Sequence, residues 1–156
     1  MNEQFSGFAP EEVQTGESTR SARLKWVIVA DSTLPSGRIV NAAACVAAAT
    51  APAVSGLLAR GGSDADGSAH AGLPWSGCTI LAADSAKLRQ IRDKADRRDD
   101  VLLIDMPRVA QETRVYDEYL DLLATQPSSE IEYAAVSLVG PRKAIDRIVG
   151  GLSLLP

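Results

Sequence analysis

An α/β layer fold is what this sequence predicts: a three-layer sandwich with a small mixed, mostly parallel sheet of about four strands and helices on both faces. Three observations carry that reading. Short runs rich in β-branched residues alternate with longer stretches of helical period, the pattern of strands joined by helical crossovers. The 156 residues suit one domain, large enough to bury a core without disulfide or metal support. Aromatic residues are only 4% of the chain against 46% hydrophobic residues overall, so the core must be built from Ala, Val, Ile and Leu.

Residues 1–22 are polar, acidic and aperiodic, which predicts a flexible N-terminal arm ahead of a single domain over residues 23–156. Phe5 and Phe8 are the arm's apolar exceptions and are candidate docking points on the body. Leu24–Ala30 reads as a buried strand. The turn-forming stretch Asp31–Gly37 delivers it to an Ala-rich helix over 38–50, with Ile39, Ala43, Val46 and Ala47 on one face. Residues 61–72 form a long, polar, Gly-rich loop, and loops of that length in compact domains are often functional. A short strand over 78–81 leads to a helix capped by Asp84-Ser85 and running to about residue 98. Then come a strand over 101–105, a helix over 109–124 and a last strand over 131–139. Gly140-Pro141 opens a short helix closed by Gly150-Gly151, and the apolar tail Leu152–Leu155 packs on the sheet.

Charge and cysteine usage exclude several functions. The net charge of −4 argues against a nucleic-acid partner, since duplex binders carry a basic face. No window approaches the roughly 18 unbroken apolar residues of a spanning helix, and no signal peptide opens the sequence. Cys45 and Cys78 make neither a disulfide framework nor a metal spacing, so the expected setting is cytoplasmic and reducing. No nucleotide-binding or zinc-protease motif is present, and no cofactor is expected.

Candidate chemistry gathers in few places. His70 is the only histidine; it can serve as a general acid or base with Asp66 orienting its ring, or it is an ordinary loop histidine. Asp64, Asp66 and His70 together are too common a turn pattern to mark a metal, and no metal site is assigned. Cys45, in the second turn of the Ala-rich helix, is either a nucleophile or a small core residue. Cys78 reads as packing. Arg38 at that helix's start suits an anionic or carbonyl oxygen, and Asn41 one turn on can fix its orientation. Ligands in open α/β sheets settle beyond the C-terminal strand ends. Arg38, Asn41, Asp66 and His70 are therefore expected to line one pocket, with Thr113 and Arg114 at its rim.

A resemblance adds to this. The stretch LKWVIVADSTLPSGRIVNAAACVAA at residues 24–48, with Ala134 to Gly140-Pro141 and Asp146–Leu155, resembles the peptidyl-tRNA hydrolase 2 family. The body from Lys25 onward is more similar to the domain-of-unknown-function-2000 family. That likeness rests on Asn41–Ala44, Asp64-x-Asp66-Gly67-x-x-His70-x-Gly72-Leu73, Thr113-Arg114-x-Tyr116 with Glu118-Tyr119, and Gly140-Pro141-x-Lys143. The resemblance implies the hydrolase fold with altered catalytic groups: Arg38, Ala42 and Cys45 stand where those hydrolases carry lysine, glutamine and histidine. It also implies a homodimer, since such hydrolases commonly pair. The leading expectation is an amide or ester hydrolase or acyl-transfer enzyme acting on a small molecule. The alternatives are a non-catalytic ligand-binding or regulatory protein and, behind it, a tRNA-related hydrolase.

Overall fold

A computed structural model describes residues 5–156. Its main sheet has four strands in the order β4-β1-β6-β5: β1 is Leu24–Asp31, β4 Thr79–Ala83, β5 Leu102–Pro107 and β6 Tyr133–Pro141. Helix α1 (Ser36–Ala53) covers one face; α2 (Ser85–Asp96) and α4 (Arg142–Val149) cover the other. Strand alternation divides the core accordingly. Trp26, Ile28 and Ala30 face α1, whereas Val27 and Val29 face α2 and α4.

The layered α/β reading and the mixed sheet hold: β1, β4 and β5 run in one direction and β6 alone runs against them. Only β1 and β4 pair in parallel; β6 runs antiparallel to both β1 and β5. The reason lies after β5. A parallel return needs a helix lying across the sheet to carry the chain back, and α3 (Tyr116–Thr125) buries no residue. The chain stays at the C-terminal end of β5, passes a 3₁₀ turn at Arg108–Gln111 and α3, and re-enters the sheet in reverse at Tyr133, opposite Pro107. The helix expected over 109–124 is thus a 3₁₀ turn and a shorter helix.

On α1 Ile39 and Val46 are buried as expected and Ala43 and Ala47 pack partly buried beside them, while Ala42 and Thr50 complete the buried face. Thr50 belongs to a buried polar chain that crosses the layers. Its hydroxyl donates to the Val46 carbonyl at 2.7 Å and therefore accepts from Ser137 Oγ, also at 2.7 Å. Ser137 Oγ in turn accepts from Trp26 Nε1 at 2.8 Å. Every donor in this chain is matched, as buried polar groups require.

Edge strand β4 is covered by the apolar tail, through Ala82 N to Ser153 O at 2.9 Å and Leu155 N to Ile80 O at 3.0 Å. The Gly-rich segment is an ordered hairpin rather than an open loop: β2 (Gly62–Ser63) pairs antiparallel with β3 (Ala69–His70). Gly72 explains the composition, because a Cβ there would lie 1.7 Å from the Ala59 carbonyl oxygen. In the N-terminal segment Phe8 is buried, its ring 4.9 Å from Trp75, and its amide donates to Ser55 O at 2.8 Å. Phe5 packs, partly buried, against the same core.

Candidate functional site

A cleft of about 400 Å³ opens along β5 between α1 and the segment leading into α3. Alternation along β5 turns Ile104 and Met106 toward the α1 side, while Asp105 reaches Arg92 Nε at 3.2 Å on the other. Cys45, Val46 and Ala49 of α1 form one wall, and Ala110, Thr113, Arg114, Tyr116 and Tyr119 form the opposite one. The small side chains of α1 leave this space open. Tyr116 and Tyr119 meet edge-on, ring centroids 5.5 Å apart. Partial burial pushes the Tyr119 phenol above its usual range, with Tyr116 and Asp105 adding to the effect.

The cleft is mainly hydrocarbon with one cation. Arg114 has no hydrogen-bond or ion-pair partner among the described residues. The one carboxylate in the lining, Asp105, already has a guanidinium in Arg92. Cys45 is exposed on α1, so it is not the small core residue of one reading. No histidine lines the cleft.

Three expected site residues, Cys45, Thr113 and Arg114, meet here; the other four lie elsewhere. Asn41 Oδ1 accepts from Gln111 Nε2 at 3.1 Å, and the same amide donates to the Arg38 carbonyl at 2.8 Å. Asn41 thus ties the 3₁₀ turn to α1, while the Arg38 side chain is exposed and unpartnered. Asp66 and His70 sit on the hairpin, which leaves the body at Leu58 and Pro74, past the C-terminal end of α1. Arg38 is in the first turn of α1, and residues 38 to 53 span about 22 Å of helix axis. The His70 side chain is 66% exposed, and its Nε2 lies 3.4 Å from Asp64 Oδ2 rather than Asp66. Asp64 is itself a turn residue: its Oδ1 accepts from the Asp66 and Ser68 amides. The Ser68 amide is the largest cause holding the Asp64 carboxyl below its usual range, with His70 second. Cys78 is exposed just before β4, and desolvation pushes its thiol up to about 12. No group of three or more metal-ligating side chains occurs among the described residues.

The sequence reading missed the floor and the support of the cleft. Ile104 read there only as a strand residue, and Met106 and Pro107 only as the connection that follows the strand expected over 101–105. Asp31, Arg108 and Gln111 were equally invisible as a set. Asp31, wholly buried at the end of β1, accepts from Thr33 N and Oγ1 through Oδ1. Its Oδ2 has no hydrogen-bond partner, and Arg108 Nη2 stands 3.9 Å away. Arg108 also binds Glu132 Oε2 at 2.9 Å, which fixes the start of the 3₁₀ turn.

A family model for proteins of unknown function, DUF2000, matches residues 24–156. The chain belongs to the DUF2000 family. The match leaves out the segment before β1 and includes the whole sheet, the hairpin and the cleft of this DUF2000 protein. It is also similar to the solved structure of Atu0240, a protein of unknown function from Agrobacterium tumefaciens strain C58. The two are 17% identical with a TM-score of 0.78, over 85% of this chain and 97% of that one. At that identity the likeness speaks to the fold alone. No curated protein matches this DUF2000 chain.

Proposed function

We propose that the cleft binds a small, largely apolar organic molecule carrying one carboxylate. The observation that carries this reading is the pairing of a hydrocarbon trough with a single unpartnered guanidinium, Arg114. Recognition of such ligands generally combines apolar enclosure with a few polar groups that fix orientation. Here Ile104, Met106 and Tyr119 take the apolar body, and Arg114 takes the carboxylate in a charge-assisted bond. The scaffold is, in this reading, a relative of the peptidyl-tRNA hydrolase 2 fold turned to ligand binding; the segment likenesses around β1, α1, β6 and α4 support it.

The test is calorimetric titration with N-acetyl-phenylalanine, an acyl amino acid of the right polarity. Saturable binding that weakens about tenfold in Arg114→Ala is the expected result, since a hydrogen bond to a charged group is worth about 1.5–3 kcal/mol. Binding untouched by that substitution, or none at all, refutes the proposal.

A second reading is favoured by one observation, the exposed Cys45 on the cleft wall. A thiolate there can displace the alkoxide of a bound acyl ester, leaving a thioester on Sγ that water hydrolyses. Turnover of N-acetyl-phenylalanine methyl ester that is lost in Cys45→Ser and kept in His70→Ala supports acyl transfer. Binding without turnover leaves the ligand-binding reading in place.

A further inference from the structure

A second concavity, of about 530 Å³, lies at the N-terminal ends of β1 and β4, away from the cleft on β5. Three cations line it, Arg20, Lys25 and Arg142, with Thr19, Ser76 and Thr79 between them and no carboxylate in the lining. This is unusual for a chain of net charge −4. Elsewhere Arg23, Arg92, Arg98 and Arg108 are each paired with carboxylates.

The three cations differ in how they are held. Arg142 Nε donates to the Ala22 carbonyl at 2.9 Å and Nη2 to the Thr19 carbonyl at 2.8 Å. Both acceptors are neutral, so the guanidinium is fixed in place and keeps its full charge. Lys25 Nζ meets Asp146 Oδ1 at 2.6 Å, the one acid among the described residues in contact with the set. The Arg20 side chain has no partner among the described residues. Counting Asp146, the groove carries two uncompensated positive charges. An independent feature points to a missing acceptor: Ser76 Oγ is buried with no hydrogen-bond partner, and a buried hydroxyl normally has one. The first amides of α4 open beside Arg142, and no side chain caps them.

We propose that this groove binds the phosphate group of a phosphorylated small molecule. Two net charges match a phosphate dianion better than a carboxylate, and a fixed guanidinium offers its remaining fork to tetrahedral oxygens. Arg20 closes on the ligand from the rim, and the Ser76 hydroxyl donates to it.

The experiment titrates the full chain with inorganic phosphate and with phenyl phosphate, following thermal unfolding and calorimetry against sodium chloride at matched ionic strength. Saturable, phosphate-dependent stabilisation above the chloride control is expected. Arg20→Gln should unfold at the unchanged temperature in chloride, because that side chain holds nothing, while its phosphate affinity falls about tenfold. Ser76→Ala should weaken binding severalfold without loss of stability. The proposal is overturned if phosphate acts no differently from chloride, or if Arg20→Gln and Ser76→Ala both bind as the parent does. It is equally overturned if a single-stranded RNA oligomer binds more tightly than either probe with a steep salt dependence.

Discussion

Asp31 closes β1 with one carboxylate oxygen satisfied and the other facing Arg108 at 3.9 Å, in a position sealed from solvent. A buried carboxylate is tolerated only with a compensating cation or donors. Arg108→Ala should therefore destabilise the fold by about 2 kcal/mol, the order of cost for stripping a buried charged acceptor of its partner. Urea unfolding reads this directly; a change within error would show that the Thr33 contacts suffice alone. At this scale sequence reading was least able to find the site. His70 drew attention as the lone histidine, yet its partner Asp64 is occupied with turn amides, and Gly61 and Gly72 beside it serve close backbone approach. Arg114 and Thr113 were legible because they follow a strand end. Ile104 was not, since nothing in a strand's alternation says which face holds the cavity.

Among the elements, the buried chain Trp26–Ser137–Thr50 ties β1 and β6 to α1. Ser137→Ala would leave the Trp26 indole N–H buried without an acceptor. A loss of about 1–3 kcal/mol in thermal unfolding is expected, and a Trp26→Phe, Ser137→Ala double variant should recover part of it. The N-terminal segment makes a pH-dependent contact. Arg23 Nε and Nη2 donate to Glu12 at 2.5 and 3.0 Å, and the same guanidinium reaches the Gly7 carbonyl. The Arg23 hydrogen bond, aided by the Ala9 amide, lowers the Glu12 carboxyl from 4.5 to about 2. A depressed carboxyl stabilises the docked segment fully above its unfolded value, and that contribution fades as pH falls from 4.5 toward about 2. Fluorescence of Trp75, which packs on Phe8, should shift across that window and lose its pH dependence in Glu12→Gln. The strands and helices were largely readable in order and place. The direction of β6 was not, because it turns on whether α3 lies on the sheet, and its period alone cannot tell a crossover helix from one that buries nothing.

Over the whole molecule the chain is a DUF2000 domain from β1 to the tail, preceded by a segment that docks through Phe8. No helix among the described residues is long and apolar enough to cross a membrane. The two concavities divide the surface chemically: an apolar trough with one cation beside β5, and a basic groove at the N-terminal ends of β1 and β4 whose three cations meet one carboxylate, Asp146. Composition hid this division, because a net charge of −4 averages acidic and basic regions into one number. The alternative placement, a pocket around His70, uses a hairpin that leaves the body beyond the far end of α1 from Arg38. The two placements are separated by a single spectrum. The chain has two methionines, and one of them, Met106, lines the cleft. With methyl-labelled methionine, titration with N-acetyl-phenylalanine should move the Met106 methyl resonance saturably, with the His70 ring resonances unmoved; the same titration of Arg114→Ala should need about ten times more ligand. A Met106 methyl that stays fixed while the His70 ring shifts would contradict the assignment of the cleft as the ligand site.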